Sequence, residues 1–240
     1  MNAQVATVSN RIPTEPYYKY GAFMESLRRF AEVPAVLGMN EPWNGLMTKA
    51  FHYRNWLRAG NNKSDRLILC DAWDIVFSRH PHGIGDRCAE LFGDAVVFNG
   101  EKGCWPRADL ADTFPDMGTP WRYLNCGFIC GPSGRILELL ESMNLESIGV
   151  DRVLPGGKKI EPNDQGEFQA VFAKQVVPMI VDGKCELAQT LSACTIEEFD
   201  LTGTLITNKL TRTSPGVFHF NGGSKNDLMP LMLKKWNLPN

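Results

Sequence analysis

The stretch Arg66-Leu67-Ile68-Leu69-Cys70-Asp71-Ala72-Trp73-Asp74 decides the fold class. Its first five residues predict a buried strand, because four of them are apolar and follow one another without a break. Continuous apolar strands are typical of parallel sheets that are covered by helices on both faces. The strand runs directly into Asp71, and Asp74 follows three residues later. Two carboxylates are therefore expected just beyond the end of a buried strand.

Short apolar runs alternate with helical patterns on both sides of this strand. Strands are predicted at 4–8, 33–37 and 94–98, and helices at 17–31, 46–59 and 84–92. This order of strand, helix and strand predicts a mostly parallel sheet flanked by helices.

The second half of the chain continues in shorter elements. Strands are predicted at 123–130, 176–181 and 216–220, helices at 133–143, 164–174 and 227–235, a loop at 104–120 and a mobile polar connection at 149–162. Neither a repeat nor a shift in composition divides the sequence. We therefore predict one α/β domain over residues 1–240.

Composition excludes several classes of protein. With 43% hydrophobic and 22% charged residues the chain can bury a sizeable core, which argues against disorder. The net charge of -2 gives no global basic field for non-specific nucleic-acid binding, although a local basic groove stays open. Seven cysteines without a CxxC pair favour buried free thiols over a disulfide framework or a structural zinc site.

The start of the sequence carries no targeting signal. Residues 1–10 lack the charged and apolar regions of a signal peptide, and no run approaches the ~18 apolar residues of a membrane span. We therefore expect no membrane partner and a cytoplasmic location, which would be the host cytoplasm for a viral protein.

The aspartate pair admits two interpretations. Carboxylates brought close together repel unless a cation neutralises them, and Mg²⁺ and Mn²⁺ prefer oxygen ligands. Asp71 and Asp74 could thus hold a divalent metal that also bridges a diphosphate. Alternatively, Asp74 caps a following helix and Asp71 is solvated.

A second signal is Phe218-His219-Phe220-Asn221-Gly222-Gly223-Ser224-Lys225. Alternation along a strand turns His219 away from the face that the two phenylalanines share. The glycine pair allows a close approach of a phosphate, with which Lys225 could pair. The alternative is a strand and turn in which His219 is hydrogen-bonded at the surface.

Two further motifs are weighed in the same way. Asp164, within Asn163-Asp164-Gln165, either caps a helix or acts as an active-site carboxylate. The proline of His80-Pro81-His82 fixes a bend that gives the wrong geometry for a metal pair, so a surface turn is expected there.

Taken together, these motifs resemble the glycosyltransferase domain of the procollagen lysyl hydroxylase family and its viral relatives. The resemblance runs in order along nearly the whole chain. It rests on Val5-Ala6-Thr7, Leu37-Gly38 with Glu41-Pro42-Trp43, Asp71-Ala72-Trp73-Asp74, Gly100-Glu101-Lys102-Gly103-Cys104-Trp105-Pro106, residues 114–119 and 123–129, Asn163-Asp164-Gln165 and His219-Phe220-Asn221-Gly222.

The resemblance implies a GT-A fold with a nucleotide-binding half at 1–100 and an acceptor- and sugar-binding half at 101–240. It also implies a UDP-sugar donor and Mn²⁺ (or Mg²⁺) held by Asp71 and Asp74, a DxxD motif, together with His219. The other roles that it implies are nucleotide binding by Thr7, Trp73, Asp71, Asn221, Gly222 and Lys225, contact with the sugar or acceptor by Trp105, and a reaction centre at Asp164 and Asn163.

This sequence departs from the family at two positions. Asn163 stands where the family has an acidic residue, and Cys126 stands where it commonly has serine. The second change is expected to alter contacts with the acceptor or the sugar.

The expected activity is transfer of a hexose or pentose from a UDP-sugar to a hydroxyl, with retention of configuration. Three alternatives stay open: a nucleotide-sugar hydrolase, a non-catalytic module that binds UDP-sugars, and an interaction scaffold. The acceptor stays open among a protein hydroxyl, a glycan and a modified nucleic-acid base, and so does the oligomeric state.

Overall fold

The structure, a computed structural model, describes residues 3–12, 19–143, 145, 152–153, 159–160 and 162–239. The strands are β1 (Ala3–Val8), β2 (Ala35–Leu37), β3 (Arg66–Cys70), β4 (Ile75–Phe77), β5 (Val96–Glu101), β6 (Tyr123–Pro132), β7 (Arg152–Val153), β8 (Lys159–Ile160), β9 (Met179–Asp182), β10 (Ala188–Thr190), β11 (Phe199–Asp200), β12 (Thr207–Asn208) and β13 (Val217–His219). The helices are α1 (Tyr20–Arg28), α2 (Met47–Arg58), α3 (Pro81–Phe92), α4 (Ser133–Ser142), α5 (Asp164–Lys174) and α6 (Ser224–Trp236).

Six strands form the central sheet in the order β2-β1-β3-β6-β5-β9. β1 is parallel to β2 and β3, and β5 is parallel to β9. β6 runs antiparallel to both of its neighbours, β3 and β5. The predicted α/β class with a mixed, mostly parallel sheet is confirmed, and this one sheet takes strands from both predicted halves of the chain.

Helices cover both faces of the sheet, as the apolar strands require. Leu67 and Leu69 pack in one core with side chains of α2, α4 and α5. Ile68 and Cys70, which alternate with them along β3, pack in a second core with side chains of α1 and α3. A third apolar cluster lies between α6 and the smaller sheet β10-β13-β4.

The chain beyond Asp74 differs from the sequence prediction. The alternative in which Asp74 caps a helix is wrong, because β4 follows and pairs antiparallel with β13. The surface turn at 80–82 is also wrong, because Pro81 begins α3 and His80 Nδ1 accepts a hydrogen bond from the His82 N–H at 3.1 Å. Proline fits the first turn of a helix, where its missing N–H leaves no bond unmade.

The loop predicted at 104–120 contains a short 3-10 helix, Ala108–Thr113. The seven cysteines are free thiols, and five of them are buried. The polar connection at 149–162 falls largely outside the described residues, and its described parts are the antiparallel strands β7 and β8. Among the described helices, none combines the length and apolar character needed to cross a membrane.

Candidate active site

Three strand ends bring Asp71, Asp74 and His219 together. Asp71 follows β3 directly, and its N–H donates to the Gly127 carbonyl at 2.9 Å. Asp74 precedes β4, and its carbonyl accepts the Phe220 N–H at 2.7 Å. Because β4 pairs with β13 with Ile75 opposite His219, the imidazole is placed beside the aspartate pair.

The three side chains form a compact cluster of ligand atoms. His219 Nε2 lies 3.6 Å from Asp71 Oδ2 and 3.5 Å from Asp74 Oδ1. One potential ligand atom from each residue lies within 4.8 Å of the others. Neighbouring ligands of one octahedral ion stand ~3 Å apart when the bonds are ~2.1 Å long. The separations therefore suit a set of ligands to a single divalent cation.

Electrostatic interactions within the cluster shift the pKa values of Asp74 and His219. Asp74 is buried, which opposes ionisation, but His219 and Lys225 outweigh burial and lower the pKa of Asp74 to about 2. Lys225 Nζ lies 3.0 Å from Asp74 Oδ2. Burial likewise opposes protonation of His219, but the carboxylates of Asp74 and Asp71 outweigh it, so that the pKa of His219 is raised.

The surroundings of His219 fit a role as a metal ligand. The side-chain nitrogen of Asn99 lies 3.4 Å from His219 Nδ1, and Asn99 Oδ1 is buried without a hydrogen-bond partner. The oxygen and nitrogen of an amide are told apart by their partners, so the amide can equally be placed the other way round. Asn99 Oδ1 then accepts a hydrogen bond from the Nδ1–H group of His219, which leaves the Nε2 lone pair for a metal, as ligating histidines require.

A cavity of about 1060 Å³ opens over this cluster. Its wall contains every predicted site residue except Thr7: Asp71, Trp73, Asp74, Trp105, Asn163, Asp164, His219, Asn221, Gly222 and Lys225. Thr7 is buried, and its hydroxyl donates to the Cys70 carbonyl at 2.7 Å. The structure thus brings together predicted residues from four separate segments of the chain, and gives Thr7 a bond within the sheet.

Two tryptophans border the cavity in different ways. Trp73 is partly buried, and its indole N–H donates to Ser9 Oγ at 3.1 Å, which fixes the plane of the ring. The Trp105 side chain is 58% exposed, while its carbonyl accepts a hydrogen bond from Gln169 Nε2 at 2.9 Å. One ring is held rigidly and the other is free to meet a ligand.

The start of α5 separates the roles of Asn163 and Asp164. Asn163 is the N-cap, since its Oδ1 accepts the Gly166 N–H at 3.2 Å. The alternative in which Asp164 merely caps the helix is therefore wrong. Asp164 is 3% exposed, and its Oδ1 accepts the Gln165 N–H at 2.9 Å. Its Oδ2 is directed to a different partner.

That partner is Lys49, which the sequence analysis missed. Lys49 Nζ lies 3.0 Å from Asp164 Oδ2 and 2.7 Å from Asp71 Oδ1. The available signal was its place on α2, because Lys49 stands one turn before Tyr53 on the buried side of that helix. A charge on an apolar helix face needs a partner, and two carboxylates supply it here.

Glu101, to which the sequence analysis gave no separate role, is held by amides at the cavity wall. Its Oε2 accepts from Asn125 Nδ2 and from Gln165 Nε2, each at 3.2 Å. Its Oε1 accepts from Asn221 Nδ2, and Asn221 Oδ1 in turn accepts the Ser192 N–H at 3.0 Å. The signal available in the sequence was the position of Glu101 in the motif at 100–106, four residues before Trp105. Asn221 thus connects Glu101 with Ser192, which both lie in the cavity wall.

Glu32, His80 and His82 form a second group of potential metal ligands. The expectation that His80 and His82 have the wrong geometry for a metal pair is therefore wrong. The His80 and His82 rings lie 4.6 Å apart, and their Nε2 atoms lie 3.8 and 3.1 Å from Glu32 Oε1. The proline between them does not force the rings apart, because it lies in the first turn of α3. This group lies outside the cavity wall, and any measurement of metal binding must account for it.

Comparisons with known proteins show to which family the chain belongs. A sequence model of the family described as the PLOD GT domain matches residues 2–235. The uncharacterized protein R699 of Acanthamoeba polyphaga mimivirus is 29% identical over 160 residues, covering 66% of this chain and 32% of that protein. The human multifunctional procollagen lysine hydroxylase and glycosyltransferase LH3 is 24% identical over 224 residues, covering 88% of this chain and 29% of LH3. The chain spans about a third of the length of these curated relatives.

Two solved structures share the fold. A glycosyltransferase involved in glycosylation of the major capsid of PBCV-1 superposes with a TM-score of 0.53 and 10% identity, covering 95% of this chain and 99% of the other. The galactosyltransferase LgtC, solved with donor and acceptor sugar analogs, gives a TM-score of 0.50 and 10% identity, covering 99% and 96%. The fold is thus of the GT-A type. Because the family match runs over nearly the whole sequence, this chain belongs to the family of PLOD glycosyltransferase domains.

Proposed function

We propose that the protein transfers a sugar from a UDP-sugar to a hydroxyl group, with a divalent cation held by Asp71, Asp74 and His219. The observation that carries this proposal is the position of the ligand cluster in the wall of a cavity of about 1060 Å³. A cavity of this size can hold a nucleotide sugar together with part of an acceptor. Mn²⁺ suits a site with two carboxylates and one imidazole, and Mg²⁺ is the alternative.

The departure of the UDP group is assisted at one end of the cavity. When bound, the cation supplies Lewis-acid stabilisation of charge on the diphosphate. Lys225 lies beside Asp74 and adds a positive charge on the same side. Gly222 and Gly223 precede the 13-residue helix α6, whose N-terminal N–H groups favour an anion. Gly222 has a φ of 62°, which a residue with a side chain rarely adopts.

The nucleotide and the reacting sugar would lie on either side of this point. Trp73, fixed by its bond to Ser9, offers a π-face for the uracil. Asp164 lies in the cavity wall with its Oδ2 paired to Lys49, and it is suited to steady the reacting sugar or an acceptor hydroxyl. The exposed ring of Trp105 would contact the sugar or the acceptor. Asn163, engaged as a cap, would act by fixing the position of Asp164.

Retention of configuration at the anomeric carbon belongs to the proposal on the strength of the family resemblance alone. Donor sugars that differ in one hydroxyl are separated by few pocket contacts, so the proposal covers UDP-sugars as a class. The full-length relatives are about three times longer than this chain, and the acceptors on which they act are not assigned to it.

Product analysis tests the proposal. The protein is incubated with UDP-glucose, UDP-galactose and UDP-xylose, each with Mn²⁺ or EDTA, and with and without sugar and peptide acceptors. Transfer predicts a glycosylated acceptor and release of UDP that increases when acceptor is added. Release of free sugar at a rate that does not change when acceptor is added would instead identify a hydrolase. Absence of turnover with every donor, despite binding of UDP, would identify a binding module.

A further inference from the structure

Lys49 joins two carboxylates that have different roles in the proposed function. Its Nζ lies 2.7 Å from Asp71 Oδ1, on the proposed metal site, and 3.0 Å from Asp164 Oδ2, at the proposed reaction centre. Asp71 uses its other oxygen, Oδ2, toward His219. The ammonium group is therefore placed beside the metal site without occupying the oxygen that faces His219.

The lysine is a fixed and charged part of the site. Its side chain is 11% exposed and projects from the rigid helix α2. Burial disfavours the ammonium, but Asp164 and Asp71 outweigh it and hold the pKa of Lys49 well above its ordinary value. A buried side chain keeps its charge when groups of opposite charge lie beside it, as the carboxylates of Asp71 and Asp164 do here.

Five charged side chains pair directly at the site, and Glu101 lies beyond them in the cavity wall. Lys49 faces Asp71 and Asp164, and Lys225 faces Asp74, so three carboxylates meet two ammonium groups. A histidine that ligates a cation through Nε2 is neutral, so one negative charge remains. A divalent cation alone makes this group of charges positive, and an anionic diphosphate then reverses the sign. Without Lys49 the cation alone would be enough to neutralise the group.

We propose that Lys49 is a positioning residue that makes the site take up the cation and the nucleotide diphosphate together. Its positive charge weakens the binding of the cation alone and strengthens the binding of the diphosphate once the cation is present. This inference rests on the proposed function, because it takes Asp71 as a metal ligand and a nucleotide diphosphate as the anion.

The charge argument fixes the sign of two effects in opposite directions. Removing a positive charge near a cation site removes a repulsion, so Mn²⁺ alone should bind more tightly. Removing the same charge takes away an attraction for the diphosphate, so UDP should bind the Mn²⁺-loaded site more weakly. At ~5 Å and an effective dielectric constant of ~20–80, each shift is expected to be on the order of tenfold. Simple damage to the fold would weaken both.

The experiment measures two affinities by isothermal titration calorimetry. Mn²⁺ is titrated into the protein alone, and UDP is titrated into the protein at saturating Mn²⁺. The wild type is compared with Lys49→Met, and Lys49→Gln replaces it if the methionine variant does not fold. Every protein carries His82→Ala, so that the group of Glu32, His80 and His82 does not add a second metal signal.

Lys102→Met is the matched control. Lys102 also lies in the cavity wall, but its ammonium pairs with Glu198 at 2.8 Å and not with the three carboxylates. The inference predicts opposite shifts of about tenfold in the Lys49 variant and less than twofold changes in the control. Weakening of both affinities, no change in either, or the same opposite shifts in the control would overturn it. If the wild type itself binds neither Mn²⁺ nor UDP, the proposed function fails, and this result is distinct from the others.

Discussion

The backbone of Gly127 lies directly against the imidazole of His219. A Cβ built on Gly127 would overlap the ring atoms of His219, and the Gly127 carbonyl also accepts the Asp71 N–H at 2.9 Å. One glycine in β6 therefore sets the position of two of the three proposed metal ligands. Glycine is required here by close approach, since no other residue leaves room for the ring.

Gly127→Ala is expected to displace His219 and to weaken Mn²⁺ binding by at least about tenfold, with a loss of about 1–3 kcal/mol in stability from overpacking. Gly134→Ala is the matched control, because a Cβ at Gly134 in α4 meets no atom within 4 Å. Titration calorimetry and thermal unfolding of both variants, each carrying His82→Ala to remove the second group of potential ligands, check the prediction. Wild-type affinity for Mn²⁺ in Gly127→Ala would contradict the role of His219 as a ligand.

Asn99 is expected to orient His219 through its Nδ1 atom. Asn99→Leu removes the amide from a buried position 3.4 Å from that nitrogen. Loss of a partner that holds a ligating histidine costs about 10–100-fold in metal affinity. The measurement is a Mn²⁺ titration of proteins that carry His82→Ala, followed by electron paramagnetic resonance of the free ion. An affinity within twofold of the wild type would show that the amide does not orient the ring.

Asp164→Ala is expected to abolish transfer while leaving UDP binding at least as tight as in the wild type. Asp164 lies in the cavity wall and pairs with Lys49, and it is not one of the three ligand residues. Steady-state kinetics and UDP titration on the same preparation separate the two effects. Loss of UDP binding together with turnover would place Asp164 in the donor site or in the support of the fold.

The thiols of Cys104 and Cys194 are expected to react slowly at neutral pH. Burial and the nearby carboxylates of Asp109 and Glu101 raise the pKa of Cys104 to about 11. Burial outweighs the nearby Lys102 ammonium and raises the pKa of Cys194 to about 11. Because the thiolate is the reactive form, alkylation should rise about tenfold per pH unit between pH 8 and 10. Iodoacetamide labelling read by mass spectrometry measures this, and a plateau near pH 8.5 would contradict it.

The sequence predicted those parts of the fold whose signals are local. β3 was predicted with its observed bounds because its apolar run is short, continuous and ends at a charge. The bounds of the helix 164–174 were also predicted as observed, although the residue that caps it is Asn163 and not Asp164. β4 was missed because three apolar residues carry no period, and only pairing with β13 makes them a strand.

The motifs predicted which residues line the candidate site, whereas the contacts between these residues depend on the tertiary structure. Ten predicted residues reach one cavity wall, but the partners of Asp71 and Asp164 could not be predicted from their neighbours in sequence. Lys49 is 22 residues from Asp71 and lies on another element, so only folding brings the two together. Thr7 was expected near the nucleotide, but its hydroxyl is taken up by the adjacent strand.

The central claim is that Asp71, Asp74 and His219 hold a cation that binds a uridine nucleotide. The most direct test is a thermal-shift measurement with UDP or GDP, each in Mn²⁺ and in EDTA, on the wild type and Asp74→Ala. A ligand at ~100 times its dissociation constant adds about 2.7 kcal/mol to the stability of the native state, which gives a clear shift. The account predicts a shift with UDP that requires Mn²⁺, exceeds the shift with GDP and is lost in Asp74→Ala. An equal shift in EDTA, or in Asp74→Ala, would contradict the metal site, and no shift with either nucleotide would contradict the donor site as a whole.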